Sequence, residues 1–185
     1  MEHDFLQEKN LIRAAKGGSL KAFEEILFLY EKEIFGYILR MVNHYHDAQD
    51  LTQETFLKLY EHIERVDEEK SIRPWIYKIA TNTVYDWLRK KKNRKEVFSI
   101  DNDANPFETM DTVLPYYTIE KQEKRKEFQE MLSELKPTYR NVLTLFYQEE
   151  LSYQEIARIL NIPINTIKTH IRRAKEALKK KIPHD

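Results

Sequence analysis

The sequence predicts an all-α protein with two small helical domains joined by an acidic linker. Apolar side chains recur every three or four residues along most of the chain, and no stretch alternates like a β-strand. The 185 residues include only three Gly and six Pro, too few for the turns of an all-β fold. Residues 96–120 have no sustained period, so we place the domains at 5–95 and 121–183 with the linker at 96–120.

The N-terminal domain is expected to hold three or four helices. Residues 5–16 form the first helix, which ends at two consecutive glycines, and Ser19 can cap the next. Residues 43–46 are predicted to be a loop, and Asp47 then begins a helix that runs to about residue 63. Pro74 suits the first turn of the following helix, where its missing N–H is not needed.

The C-terminal domain is expected to hold four helices, and its strongest motif is a helix-turn-helix over residues 152–182. Its first helix near Ile119 is followed by a break at Pro137. Ser152 and Glu155 form a capping box, and Asn161 suits the left-handed residue of a tight turn between helices.

The second helix of this motif has an apolar stripe toward its own domain and donors on its other faces, as a recognition helix requires. Its candidate DNA contacts are Thr166, Lys168, Thr169, His170, Arg172, Arg173 and Lys175. The alternative is an ordinary surface helix with a solvated lysine face.

The formal net charge of zero hides strong segregation of charge. Residues 85–95 carry a local charge of +5, residues 96–120 a local charge of −6, and residues 164–182 a local charge of +6. The two basic blocks predict two nucleic-acid surfaces, whereas the acidic segment cannot bind DNA by charge.

The helix that begins near Pro74 interleaves aromatic rings with cations, a pattern that suits single-stranded DNA. Its candidate contacts are Trp75, Tyr77, Tyr85, Arg89, Lys90, Lys91, Lys92 and Arg94. The alternative places Trp75 and Trp87 in the core and leaves the lysines merely solvated.

Several classes of protein are disfavoured. Cysteine is absent, which excludes disulfides, thiolate zinc sites and cysteine nucleophiles. The first ten residues lack the pattern of a signal peptide, and no stretch approaches eighteen apolar residues, so we expect a cytoplasmic protein without membrane insertion. We predict no catalytic residues, no cofactor and no metal; His44 and His46 could bind a metal, but exposed loop histidines are the simpler interpretation.

Four stretches together resemble the extracytoplasmic-function (ECF) group of bacterial RNA polymerase sigma factors, in the sigma-70 family. They are the helix from Ala22 to Met41, DAQDLTQETF at 47–56, PWIYKIATN at 74–82 with DWLR at 86–89, and the helix-turn-helix. They cover nearly the whole chain outside the linker. The departures are Asn161 and Asn165 in place of common glycines, and Pro74 in place of a usual threonine.

The resemblance implies a transcription initiation factor that is not an enzyme. The first domain would bind the clamp of the largest polymerase subunit through Asp50, Gln53 and Glu54, and would open the minus-ten promoter element. Asn82, at the family's matching position, is the candidate for a pocket that holds an unstacked base. The second domain would read the minus-thirty-five element in duplex DNA.

The resemblance also implies partners: core RNA polymerase, promoter DNA and an anti-sigma factor, with the chain itself a monomer. Two interpretations of the linker stay open, a segment that threads toward the polymerase active centre and a soluble tether. There is an alternative to polymerase binding for the acidic residues at the start of the helix that begins at Asp47. Their side chains would simply be solvated, in a position that matches the helix dipole.

Two other functions remain as alternatives. A conventional DNA-binding regulator would protect duplex DNA without polymerase. A helical metal-dependent nuclease would use Asp47, Asp50 and Glu54, but the chain has no phosphate-binding Gly loop and no nucleophile–base pair beside them.

Overall fold

The computed structural model describes residues 5–95 and 128–180, and the side chains within them except at 93–95. The regular structure in these ranges is entirely helical, which confirms the predicted class. The N-terminal domain consists of α1 (Phe5–Lys16), α2 (Leu20–Val42), α3 (Tyr45–Glu61), a short 3₁₀ turn (Ile63–Arg65) and α4 (Arg73–Lys95). The C-terminal domain consists of α5 (128–133), α6 (Pro137–Leu143), a π-helical turn (Thr144–Gln148), α7 (Tyr153–Leu160) and α8 (Ile164–Lys179).

Two predicted features fall elsewhere in the chain. The linker at 96–120 and the helix start near Ile119 lie outside the described residues. Within the described ranges, none of the helices is long and apolar enough to cross a membrane.

The caps of α2 and α3 follow from local side chains. Ser19 accepts the N–H of Ala22, as predicted, and α2 ends at Asn43 in the left-handed conformation with φ 55°. The loop predicted at residues 43–46 is confined to Asn43 and His44. His44 is the N-cap of α3, and Tyr45 and His46 lie in its first turn, so the helix begins two residues before Asp47. The Nδ1 atom of His44 accepts the N–H of Asp47. An imidazole therefore caps this helix, a role that Ser or Asp usually has.

Helix α2 is central to the N-terminal core, since α1, α3 and α4 all pack against it. Its buried side chains include Tyr30 and Tyr37. The Tyr30 hydroxyl donates to buried Glu8, whose other carboxylate oxygen accepts the N–H of Ile72. This bridge ties α1 to the start of α4 and satisfies a carboxylate that would be costly to bury alone.

The C-terminal core forms where α8 crosses α6 and α7 around Ile156, Ile167 and Ile171. The helix after Pro137 does not stay regular, as it widens into a π turn from Thr144 to Gln148. Such turns are uncommon and often occur at functional sites. The backbone that follows brings Glu149 toward the N-terminal domain.

The two domains are in contact. Helix α7 lies against α4, and α6 lies against α2. This contact determines which faces of α4 are open to solvent.

Candidate nucleic-acid interface

The helix-turn-helix is formed as its sequence predicts. The Ser152 Oγ atom accepts the N–H of Glu155, and the Glu155 carboxylate accepts the N–H of Ser152, so the capping box is complete. Asn161 ends α7 in the left-handed conformation with φ 53°. These interactions are all local: they set where α7 begins and where it ends.

Helix α8 presents a basic face away from its core. Ile167, Ile171 and Ala174 are buried on the opposite side. The seven predicted contact residues divide by exposure: Lys168, Arg172, Arg173 and Lys175 are exposed, and Thr166, Thr169 and His170 are half-buried.

The exposed cations of α8 differ in how they are held. Arg172 forms an ion pair with Glu176 at 2.7 Å, and the Lys175 ammonium lies over the Tyr147 ring at 4.9 Å. A hydrogen bond with the Tyr147 hydroxyl raises the pKa of Lys175. Within the described residues Arg173 has neither a hydrogen bond nor an ion pair, which leaves its guanidinium available to a ligand.

His170 is less available than its position on α8 suggests. Its ring packs edge-on against Tyr139, with ring centroids 5.9 Å apart. Its buried Nδ1 atom has no partner within the described residues. The imidazole therefore belongs in part to the domain interior.

Helix α4 does not present all the predicted aromatic rings to solvent. Tyr77 is completely buried, and its hydroxyl lies between the carboxylates of Glu33 and Glu149. Burial is the main cause of the raised pKa of the Tyr77 phenol, and the negative charge of Glu149 raises it further. Tyr85 is half-buried, and its hydroxyl accepts a hydrogen bond from Asn141 at 2.9 Å. The expectation that Tyr77 contacts DNA is wrong for this arrangement, since no surface of its ring is exposed.

The predicted cations of α4 are exposed near its C-terminal end. Arg89, Lys90, Lys91 and Lys92 are consecutive, so they point around the helix and do not share one side of it. Asn82 is also exposed. Trp75 and Trp87 are half-buried, so neither is a fully buried core residue. The side chain of Arg94 lies outside those described.

Each tryptophan of α4 has a lysine ammonium near its ring. The ammonium of Lys78 lies 5.8 Å from the Trp75 ring centroid, and that of Lys91 lies 4.4 Å from the Trp87 ring centroid. The Trp75 Nε1 atom is buried without a partner within the described residues. An indole with an unsatisfied donor beside cations is suited to an acceptor group supplied by a ligand.

A third surface lies on α3. The predicted polymerase-binding residues Asp50, Gln53 and Glu54 are all exposed on one face of this helix. Leu57 shares that face and is 64% exposed. We did not predict Leu57 from the sequence, although an apolar residue three positions after Glu54 on an acidic helix face was the available signal.

The described ranges contain no group of three acidic or histidine side chains that could hold a metal ion. The described residues form two basic surfaces, on α4 and α8, and an acidic surface with one exposed leucine on α3.

Comparison with known proteins agrees with this arrangement. Residues 29–94 match the family Sigma-70 region 2, and residues 125–178 match Sigma-70, region 4. The chain is 35% identical to the ECF RNA polymerase sigma factor SigW of Bacillus subtilis, over 94% of this chain and 96% of that protein. It is 30% identical to the RNA polymerase sigma-H factor of Pseudomonas aeruginosa, over 94% and 93% of the two chains.

Two solved structures share the fold. One is the sigma factor RpoE from Bartonella quintana in complex with the anti-sigma factor NepR, with TM-score 0.71 and 22% identity over 89% of this chain and 100% of that one. The other is CnrH in complex with the cytosolic domain of CnrY, with TM-score 0.69 and 18% identity over 95% and 97%. The chain belongs to the ECF RNA polymerase sigma factors of the sigma-70 family, non-enzymatic proteins that bind core RNA polymerase and direct it to promoters.

Proposed function

We propose that three surfaces of this sigma factor have separate roles in transcription initiation. Helix α8 reads the minus-thirty-five element, the exposed side of α4 opens the minus-ten element, and the α3 surface binds the polymerase clamp. The domains that do so extend over 5–95 and 121–183, joined by a linker at 96–120. The observation that carries this proposal is the exposed row of cations on α8, the second helix of a complete helix-turn-helix.

Duplex reading by α8 follows from its chemistry. Arg can donate two parallel hydrogen bonds to the acceptors of guanine in the major groove, and Lys and Thr can contact bases or phosphates. Arg173 is the strongest candidate for a base contact because its guanidinium is not engaged by any of the described residues. Arg172 must exchange its ion pair with Glu176 for any contact to DNA.

Opening of the minus-ten element is assigned to α4. Its exposed cations can follow the backbone of a separated strand, and stacking on aromatic rings contributes roughly 1–3 kcal/mol per base. Trp75 and Trp87 are the available rings, and Asn82 is positioned on the exposed side to hydrogen-bond an unstacked base.

Polymerase binding is assigned to Asp50, Gln53, Glu54 and Leu57 on α3. Charges at the edge of such an interface set partner choice and association rate, while an exposed leucine contributes apolar area to its centre.

The two structural neighbours are each in complex with an anti-sigma factor or a partner's cytosolic domain. We propose by analogy that an anti-sigma factor holds this chain inactive, and that the free chain is a cytoplasmic monomer.

The duplex-reading assignment is tested by transcription with core polymerase from templates that vary upstream of the start site. Arg173→Ala is expected to cost on the order of 1–3 kcal/mol at one base position and to relax the preference there. Lys21→Ala removes an exposed cation on α2 and is the matched control. An unchanged upstream preference in the Arg173 variant would remove this residue from the readout.

The clamp assignment is tested by measuring affinity for core polymerase. Asp50→Ala with Glu54→Ala is expected to weaken binding, while the helical content of the free protein stays unchanged because both side chains are exposed. Glu24→Ala, an exposed acid on α2, is the control. Normal assembly of the double variant would refute this surface.

A further inference from the structure

Helix α1 is attached to the loop that leads into α4. This loop, residues 66–72, connects the 3₁₀ turn after α3 to α4, so it lies between the helix proposed to bind polymerase and the helix proposed to open the promoter. Three side chains of α1 reach the loop. The match to Sigma-70 region 2 begins at residue 29 and therefore does not cover α1.

The contact made by Glu8 continues into the first turn of α4. One carboxylate oxygen of Glu8 accepts the N–H of Ile72 at 2.7 Å, and the other accepts the Tyr30 hydroxyl at 2.6 Å. The Ile72 carbonyl in turn accepts the N–H groups of Trp75 and Ile76, at 2.9 Å and 3.0 Å. Glu8 thus fixes the residue on which the first turn of α4 is built. Its negative charge also suits the N-terminal end of a helix, so another helix supplies a cap for α4.

The Glu8 contact is shielded from solvent. Glu8, Tyr30 and Ile72 are each no more than 4% exposed. A buried backbone N–H needs an acceptor, and removal of the carboxylate would leave the N–H of Ile72 buried and unpaired. The position of Ile72 therefore depends on a side chain 64 residues earlier in the chain.

Two ion pairs extend the attachment along α1. The Lys9 ammonium pairs with the carboxylate of Glu69, and the Arg13 guanidinium lies 2.8 Å from the carboxylate of Glu68. The hydrogen bond from Arg13 lowers the pKa of Glu68. Residues later in α1 meet residues earlier in the loop, so the two segments run antiparallel. These pairs are more exposed than the Glu8 contact, so each one contributes less to holding the loop.

We propose that α1 is a brace for the loop at 66–72, and that Glu8 is a positioning residue for opening of the minus-ten element. The brace holds the start of α4, and with it Trp75, in the orientation that a separated strand requires. Glu8 acts through position alone, because it is buried against Tyr30 and Ile72. The role in opening rests on the function proposed for α4, whereas the attachment of the loop to α1 does not.

The brace should matter for one step of initiation and not for another. Stacking requires the Trp75 ring to meet the face of an unstacked base, so it is sensitive to the direction of the first turn of α4. Binding of core polymerase is assigned to exposed residues of α3, none of which contacts Glu8. A template whose strands are already mismatched over the minus-ten element does not need the opening step. Loss of the brace should therefore impair duplex templates only.

The first measurement is amide hydrogen exchange in the free full chain. Glu8→Ala should accelerate exchange in the loop at 66–72 on the order of tenfold or more, because Ile72 loses its acceptor. Glu8→Gln should keep the parent rate, since the amide oxygen can accept from Ile72 while the amide N–H donates to the Tyr30 hydroxyl. Val42→Ala shortens a buried side chain of α2 about 18 Å along the helix from Tyr30, and it is the control for lost stability without loss of the brace.

The second measurement is promoter opening by each variant with core polymerase, at a start site mapped with the parent chain. Permanganate reactivity of thymines in the minus-ten element reports the opened DNA. Glu8→Ala should open duplex DNA on the order of tenfold less well, with unchanged affinity for core polymerase. Its transcription should return to the parent level on the mismatched template. Glu8→Gln and Val42→Ala should open duplex DNA as the parent chain does.

Exchanging the charges of one ion pair tests the brace without changing the core. Arg13→Glu alone sets two carboxylates against each other, and Glu68→Arg alone sets two guanidinium groups against each other. Each should reduce opening of duplex DNA by about twofold to fivefold. The double variant should restore opening, because the pair forms again with its charges reversed. If circular dichroism shows that Glu8→Ala does not fold, this charge exchange decides.

The outcomes separate the brace from the proposed function. Unchanged exchange of the loop in Glu8→Ala would overturn the brace, and this measurement needs neither polymerase nor DNA. Parent-level opening of duplex DNA by Glu8→Ala, or an equal loss on duplex and mismatched templates, would overturn the role of Glu8 in opening. If the parent chain directs no transcription with core polymerase, the proposed function fails, and the exchange rates still decide the brace.

Discussion

Arg140 is a buried cation that should decide the stability of the C-terminal domain. Its residue is 8% exposed, and within the described residues its guanidinium is paired with no carboxylate. It donates instead to the backbone carbonyls of Leu132, Ser133 and Leu135, at the end of α5, and to that of Met41. Burial lowers the pKa of Arg140, but a guanidinium stays protonated at any ordinary pH.

The helix end explains why a lone cation is tolerated. The last carbonyls of a helix lack partners within the helix and carry partial negative charge, so a guanidinium fork both satisfies and neutralises them. Arg140→Met keeps the apolar stem and leaves those carbonyls unpaired. A hydrogen bond to a charged group contributes about 1.5–3 kcal/mol, and these bonds are not additive, so we expect a loss of about 3 kcal/mol.

Thermal unfolding followed by circular dichroism measures this loss. For a domain of this size, about 3 kcal/mol corresponds to a fall in Tm of roughly 12–24 °C in the transition of the C-terminal domain. Lys136→Met, an exposed cation four residues earlier, is the control and should change Tm little. A loss below about 1 kcal/mol for Arg140→Met would refute the role of this side chain as the cap of α5.

Three further predictions follow from the same structure. Ser152→Ala removes one half of the capping box and should cost about 1 kcal/mol, measured by urea denaturation. Leu57→Asp should weaken binding to core polymerase with little change in stability, because this side chain is 64% exposed; unchanged affinity would exclude it from the interface. The third prediction concerns Tyr30, Tyr37 and Tyr77, whose pKa values are raised mainly by burial. Their folded pKa lies above the unfolded value near 10, so stability should be intact below about pH 10 and fall above it by about 1.4 kcal/mol per pH unit for each tyrosine. Tyrosinate absorbance should then appear for these rings only on unfolding, and early ionisation would contradict their burial.

Local signals predicted the helix-turn-helix well. The capping box joins residues three apart, and the left-handed turn at Asn161 depends on one side chain, so neither needs tertiary contacts. The same holds for the cap at Ser19. Helix α3 begins at Tyr45 and not at Asp47 because the His44 imidazole accepts an N–H as the N-cap, a role for which Ser, Thr, Asp and Asn are the favoured residues.

The sides of α4 could not be assigned from sequence. Its aromatic and basic residues are distributed around the helix, and only contacts with distant residues separate them. Tyr77 meets Glu149, 72 positions away, and Tyr85 meets Asn141, 56 positions away. The π turn that brings Glu149 into place has no sequence signal that we recognised.

Transcript mapping with purified core polymerase tests the central claim most directly. Run-off reactions with and without this chain, on a pool of genomic fragments, should yield starts that depend on the chain and share two sequence elements, about 10 and about 35 base pairs upstream. No chain-dependent starts, or equal protection of duplex DNA in the absence of polymerase, would contradict the account.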